Sequence, residues 1–237
     1  IKDKAYSKLK YSRQQALRTA LLTTFPDSYV KGTLKYADQK YKIKLRLKGD
    51  LIDHYGGDKW SFRVKVSGDN TILGMKKFSL QHPIVRNYLG EWFFHKAAKN
   101  EGLISLRYTF VRVFVNAEYK GIYSLEEHFD KRLIENNKRK EAPIMKINEE
   151  VFFGHGWKMY NKARFTAFQE SKINEIPTLS DQYKAGNKLL EMFRSGDIGS
   201  DSVFDHTYYS KFVALSDLLG GWHALESHNL VFYFNPF

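Results

Sequence analysis

Two stretches of this chain carry side chains whose types and spacing could do chemistry. The first runs from Lys40 to Val66, KYKIKLRLKGDLIDHYGGDKWSFRVKV. It brings Lys48, Gly49, Gly56, Gly57, Lys59 and Lys65 into one short segment. Glycine lets backbone approach a ligand closely or take positive φ. Ammonium groups at the ends of flanking strands could then hold a phosphate together with backbone N–H groups. A basic, solvated hairpin would use the same residues. The second stretch is Trp222–Asn229, WHALESHN. His223 could accept a proton. His223, Glu226 and His228 also invite a zinc reading, which needs a third ligand in fixed geometry; a hydrogen-bonding group at a helix end is the plain alternative. Asn229 ahead of an apolar strand reads as a turn residue or as an oxygen ligand.

The elements that must position these groups follow from periodicity. Ile43, Leu45 and Leu47 alternate with Lys44, Arg46 and Lys48, and Phe62, Val64 and Val66 alternate with Arg63 and Lys65. Period-2 alternation marks half-buried strands. Ahead of them, Ser7–Leu22 reads as a helix capped by Ser7, and Tyr29–Leu34 as a strand paired with Tyr41–Leu47. Ile72–Leu80 reads as a strand interrupted by Gly74. Val85, Leu89, Trp92, Phe93 and Ala97 recur at helical spacing and predict a helix over Val85–Asn100. Tyr108–Val115 and Tyr119–Leu125 read as a second hairpin, with Gly121 marking a bulge or a close backbone approach. A short basic helix near Lys131–Asn137 and a strand at Ala142–Ile147 come next. The stretch 149–177 reads as irregular and aromatic, with Phe152, Phe153, Trp157, Tyr160, Phe165 and Phe168 packing under a loop around Gly154-His155-Gly156. Helices over Ser180–Ser195 and Ser202–Leu219 and a strand over Leu230–Phe234 complete the chain. Asn235-Pro236 reads as a hairpin turn, so the natural domain is expected to continue.

Composition narrows the function classes. The 237 residues carry a net charge of +12 and no cysteine. Disulfides and Cys-based zinc sites are excluded. The basic balance favours an anionic partner. The longest basic run is Lys138-Arg139-Lys140, which speaks against a nucleic-acid tail. No apolar run approaches the ~20 residues of a membrane helix.

Four of these segments together resemble one family. LRLKGD at Leu45–Asp50, followed by KWSFRVKV at Lys59–Val66, is similar to its loop-and-strand motif. The segment Val85–Asn100 resembles a helix of that family. FVRVFVNAEYKGIYSLEEHFD at Phe110–Asp130 matches its most specific signature, and LLGGWHALESHN at Leu218–Asn229 resembles its L-L-G-N-W-D-x-x-x-H-N motif. The family is that of spore coat protein H, the CotH kinase-like proteins.

The resemblance implies an α+β, atypical protein-kinase-like bilobed fold. Residues 1–40 would form an N-terminal helix and first strand. Residues 41–148 would form an N-lobe-like antiparallel sheet with a packed helix, and 149–237 a partial helical C-lobe. It also implies ATP, Mg²⁺ or Mn²⁺, and phosphoryl transfer to Ser or Thr of a protein, on a secreted or surface protein. Phosphoryl transfer needs a cover for the phosphates, a strand lysine, a carboxylate that holds it, metal ligands and a group that orients the nucleophile. In that scheme Gly49 with Gly56 and Gly57 form the cover, and Lys48, Lys59 and Lys65 face the nucleotide. Lys59 or Lys65 pairs the phosphates, held by Glu91. Glu127, beside Glu126, meets the adenine, and Asn229 is the metal ligand. His223 stands where the family has its catalytic Asp, and Glu226 is the substitute carboxylate. That departure supports a second expectation, a degenerate, non-catalytic module that binds a surface partner or scaffolds an assembly. A third is a basic glycan-binding module, indifferent to ATP and salt-sensitive.

Overall fold

Alternating apolar side chains build the first sheet. The computed structural model of the chain describes residues 1–23, 25–148 and 162–237. Ile43, Leu45 and Leu47 of β2 (Gln39–Leu47) are buried beside Phe62, Val64 and Val66 of β3 (Phe62–Val66). The strands pair antiparallel with Leu45 opposite Val64. β1 (Val30–Tyr36) pairs with β2; β4 (Lys77–Gln81), β6 (Glu118–Glu127) and β5 (Tyr108–Val115) extend the other side. The order is β1-β2-β3-β4-β6-β5, antiparallel at every pairing. Leu9 and Ala16 of α1 (Asp3–Thr19) join Leu45, Val64, Phe78 and Leu125 in one core. Each large aliphatic chain so buried contributes about 1.5–3 kcal/mol.

Three hairpin turns, Ala37-Asp38, Leu73-Gly74 and Asn116-Ala117, have positive φ at both central residues. This mirror-image turn matches the right-handed strand twist. The turn at Leu73-Gly74 corrects the expected strand over Ile72–Leu80: Ile72 and Met75 bond each other across it, and β4 starts at Lys77. At Gly121 (φ 91°) the β5–β6 register shifts, and an added Cβ would lie 2.9 Å from Lys59 Cε and Nζ. The bulge and the close approach both occur.

Two helices differ from their expected bounds for local reasons. Helix α1 begins at Asp3, so Ser7 lies inside it; Asp3 in the first turn favours the positive helix end. The helix expected over Val85–Asn100 is broken. Pro83–Arg86 is a 3-10 turn, Asn87 and Tyr88 take left-handed φ of 50° and 54°, and α2 spans only Gly90–Asn100. Such residues end a right-handed helix.

The remaining chain builds a smaller three-stranded sheet, β8-β7-β9, from Phe165–Ala167, Ile144–Ile147 and Val231–Tyr233. β8 falls within the stretch read as irregular. Its Phe165 is buried, and Phe168 packs against Phe129 with centroids 4.9 Å apart. Phe152, Phe153, Gly154–Trp157 and Tyr160 of that stretch lie outside the described residues. α4 (Glu170–Asn174) and α5 (Pro177–Ser195) pack on β8, and the unit also contains α3 (Lys131–Asn136) and α6 (His206–Leu218). α6 starts later than expected because Asp205 caps it, accepting from the N–H groups of Thr207 and Tyr208 at 3.0 and 3.2 Å. The protein is thus mixed α/β, with two compact units: Ile1–His95 with Leu106–His128, and Lys96–Ser105 with Phe129–Phe237. Among the described residues no helix is long and apolar enough to cross a membrane.

Candidate functional site

The alternation that buries one face of the first sheet lines up polar residues on the other. Arg46 lies opposite Arg63, Arg63 opposite Ser79, Ser79 opposite Glu126, and Glu126 opposite Tyr108. Two residues along, on the same face, Gln81 lies opposite Ser124, and the Lys48 N–H bonds the Ser61 carbonyl at 2.9 Å. Ser61, Ser79, Gln81 and Ser124 are fully buried, and Lys48 and Glu126 nearly so. Buried polar groups require partners, and here they find them in each other.

Lys48 Nζ donates to Gln81 Oε1 at 2.7 Å and lies 3.2 Å from Glu126 Oε1. Gln81 Nε2 donates to Glu126 Oε2, and Ser79 Oγ donates to Oε1 at 3.4 Å. Arg86, from the 3-10 turn, stands 3.8 Å from Glu126 and 2.9 Å from Glu91. Burial alone would push the Glu126 carboxyl up, but Lys48, Arg86 and Arg63 hold it down at about 2. Burial pushes the Lys48 ammonium down to about 8; Glu126 opposes that and Arg63 adds to it. Cations therefore crowd a single buried carboxylate. The crowding continues along the face. His128 is flanked by Arg63 at Nδ1 and by Lys77 Nζ, 2.6 Å from Nε2. A neutral imidazole accepts at one nitrogen only, so donors are in excess there. Burial, Arg63 and Lys77 push its pKa well below 6.5.

The loop after β2 approaches this cluster through glycine. Gly49 has φ 94°, and an added Cβ would fall inside the His54 ring. His54 is buried, with Nδ1 3.2 Å from Ser61 Oγ, and burial lowers its pKa to about 4. Gly56 and Gly57 are held differently. The Arg13 guanidinium of α1 donates to the Tyr55 and Gly56 carbonyls at 2.7 and 2.8 Å, and the Gly56 N–H is taken by the Ile52 carbonyl at 2.6 Å. That N–H cannot also serve a phosphate.

The other expected residues separate. Lys59 lies across the Gly121 bulge. Lys65 sits over the Tyr29 ring, 4.1 Å from its centroid. Glu91 pairs with Arg86, and with His95 at 3.7 Å, rather than with either lysine. Glu127, on the strand face opposite Glu126, accepts from the Arg107 backbone N–H and Nε, both at 3.0 Å, and from Nη2. Arg107 in turn donates to the Leu73 carbonyl at 3.0 Å, so this pair clamps the Leu73-Gly74 turn. Gln81, Arg63 and Arg86 were not expected in the site, and Glu126, expected with Glu127 at the adenine, sits against Lys48. The polar phase of the strands carried the signal for Glu126, Gln81 and Arg63; it needed the strand order to become a cluster.

In the second unit His223, Glu226 and His228 come together. His223 Nδ1 is 3.0 Å from Glu226 Oε1, and His228 Nδ1 is 3.5 Å from Oε2. Asn229 Nδ2 reaches both Nε2 atoms, at 3.3 and 3.1 Å.

The first unit thus buries a lysine–glutamate pair on one face of its antiparallel sheet. Comparison with protein families matches residues 45–220 to the family described as CotH kinase protein. The chain belongs to the CotH kinase family. The matched segment contains the whole Lys48–Glu126 cluster and ends at residue 220, ahead of His223. Among curated proteins no match is found.

Proposed function

We propose that this protein is an atypical kinase of the CotH type, in which the Lys48–Glu126 cluster binds the phosphates of ATP for transfer to Ser or Thr of a protein. The observation that carries this reading is the Lys48 ammonium, buried at a strand end and held between Gln81 and Glu126. Phosphoryl transfer depends on positioning and charge stabilisation, and a strand lysine fixed by a carboxylate is its recurring device. The excess of cations around Glu126 fits a polyanion. Lys48, Arg63 and Arg86 would hold the phosphates, and Gly49 would let the loop backbone come close. Bound ATP supplies the phosphoryl group. A two-lobed kinase-like fold, a protein substrate and a place outside the cytoplasm or on the cell surface belong to the same proposal.

Mg²⁺ fits the second unit's residues poorly. Two imidazoles and one carboxylate are not the oxygen set that ion demands, and Mn²⁺ accepts nitrogen more readily. His223 in place of the family Asp also favours the second reading, a nucleotide-binding or scaffolding module without transfer.

Calorimetric titration with ATP, with and without Mg²⁺ or Mn²⁺, tests the reading. Lys48→Met is expected to lose binding, while the exposed control Lys188→Ala keeps it. Labelled-phosphate transfer to a generic protein acceptor then separates the two readings. ATP binding that survives in folded Lys48→Met but disappears in Lys59→Ala or Lys65→Ala would sink the assignment.

A further inference from the structure

The loop joining α6 to β9 carries its own polar group, which is separate from the nucleotide reading. Its backbone advances in three-residue turns. The Ala224 N–H donates to Gly221 O at 2.8 Å, Glu226 to His223 O at 3.3 Å, and Asn229 to Glu226 O at 2.8 Å. This spacing sets residues 223, 226 and 229 side by side, with His228 adjoining. One ligand atom from each of His223, Glu226 and His228 lies within 4.8 Å of the others. Tetrahedral Zn²⁺ with bonds of about 2.0–2.1 Å has ligand–ligand edges of roughly 3.3 Å. Here His223 Nδ1 lies 3.0 Å from Glu226 Oε1 and His228 Nδ1 3.5 Å from Oε2, so an ion between the rings would face both oxygens of the carboxylate.

Asn229 completes the argument. Its Nδ2 faces three acceptors, the two Nε2 atoms and the His223 carbonyl at 3.0 Å. An amide NH₂ has two hydrogens. Turning the amide over would set Oδ1 against the His223 carbonyl oxygen, now 3.0 Å from Nδ2, so the side chain must swing off that carbonyl for Oδ1 to accept from both Nε2–H groups. Both Nδ1 lone pairs are then available on the Glu226 side. A shared acceptor that fixes the tautomer and ring orientation is how metal-ligating histidines are held. The His223 side chain is 72% exposed and that of His228 16%, so solvent reaches the group from one side.

We propose that His223 and His228 through Nδ1, with the Glu226 carboxylate, bind one divalent transition-metal ion of the Zn²⁺ class, with Asn229 orienting both imidazoles and water at the open position. Two nitrogens and one carboxylate select such ions over Mg²⁺. The family match stops at residue 220 and does not supply this site.

The test uses the full chain, free of nucleotide and of any affinity tag, titrated with Zn²⁺ against a chromogenic chelator and with Co²⁺ as an optical probe. Expected are one ion per chain and the strong visible bands of tetrahedral Co²⁺. His223→Ala, His228→Ala and Glu226→Gln each abolish the stoichiometric site. Asn229→Ala weakens it roughly 10–100-fold, and the exposed His206→Ala leaves it intact. Excess Mg²⁺ does not displace Zn²⁺. The same titration on Lys48→Met protein gives the wild-type result whether or not ATP binding is lost. Absence of a stoichiometric site, its survival in the His223→Ala/His228→Ala double variant, or equal competition by Mg²⁺ overturns the proposal. Melting curves of the variants, with Glu226→Gln as the shape-preserving change, separate ligand loss from unfolding.

Discussion

Lys48 and Glu126 lie 78 residues apart in sequence, and the ammonium Nζ lies 3.2 Å from the carboxylate Oε1 on the buried polar face of the sheet. Gln81 bonds both partners, and Ser79 of the same strand bonds Glu126. The stability of the first unit is expected to depend on this contact.

Removing the carboxylate leaves the buried Lys48 ammonium without its charge partner. Glu126→Gln is expected to destabilise the protein by about 3–5 kcal/mol. In chemical denaturation, Lys48→Met and Glu126→Gln together should cost less than the sum of the singles. Additive effects would mean that the two groups do not interact.

Acid should weaken the fold in two stages. His54 is held near 4, below its ordinary 6.5. Between those values the unfolded chain binds the proton and the folded one does not, so stability falls as pH drops from about 6.5 to 4. Glu126, held near 2 against an ordinary 4.5, contributes stability that is present above 4.5 and lost as pH falls toward 2. His54→Asn is expected to shrink the upper stage, to which His128 also contributes, and to leave the lower one. Melting temperature followed across pH 2 to 7 checks both.

Gly49 tolerates no side chain. Gly49→Ala meets both a positive φ and the His54 ring. It is expected to cost more than about 1 kcal/mol. Gly49→Ala/His54→Ala should recover the steric part and retain the conformational part. Full recovery would show that φ is not the constraint.

Glu127 serves the fold through Arg107. Glu127→Gln leaves the half-buried Arg107 guanidinium without its charge partner, and a loss of about 1–3 kcal/mol is expected. Amide exchange should rise first at Ile72 and Met75, whose turn Arg107 holds. Unchanged protection there would remove the clamp from the account.

Ile43, Leu45 and Leu47 against Lys44, Arg46 and Lys48 made β2 readable, and with it the split between an apolar and a polar face. Phe62–Val66 and the second hairpin were readable for the same reason: period-2 alternation is a local property. The helix break at Asn87-Tyr88 and the turn at Leu73-Gly74 were less legible, because hydrophobic spacing continues across a reversal of φ. The choice among Lys48, Lys59 and Lys65 was not local at all. β4 pairs with β6 and leaves β5 at the edge, and only that order brings Glu126 to Lys48 while Glu127, one residue on, turns away to Arg107. The sequence by itself determined which residues share a strand face, since that needs only the pleat. The tertiary structure decided which faces and rows meet, since burying a charge requires a partner that chain order does not name.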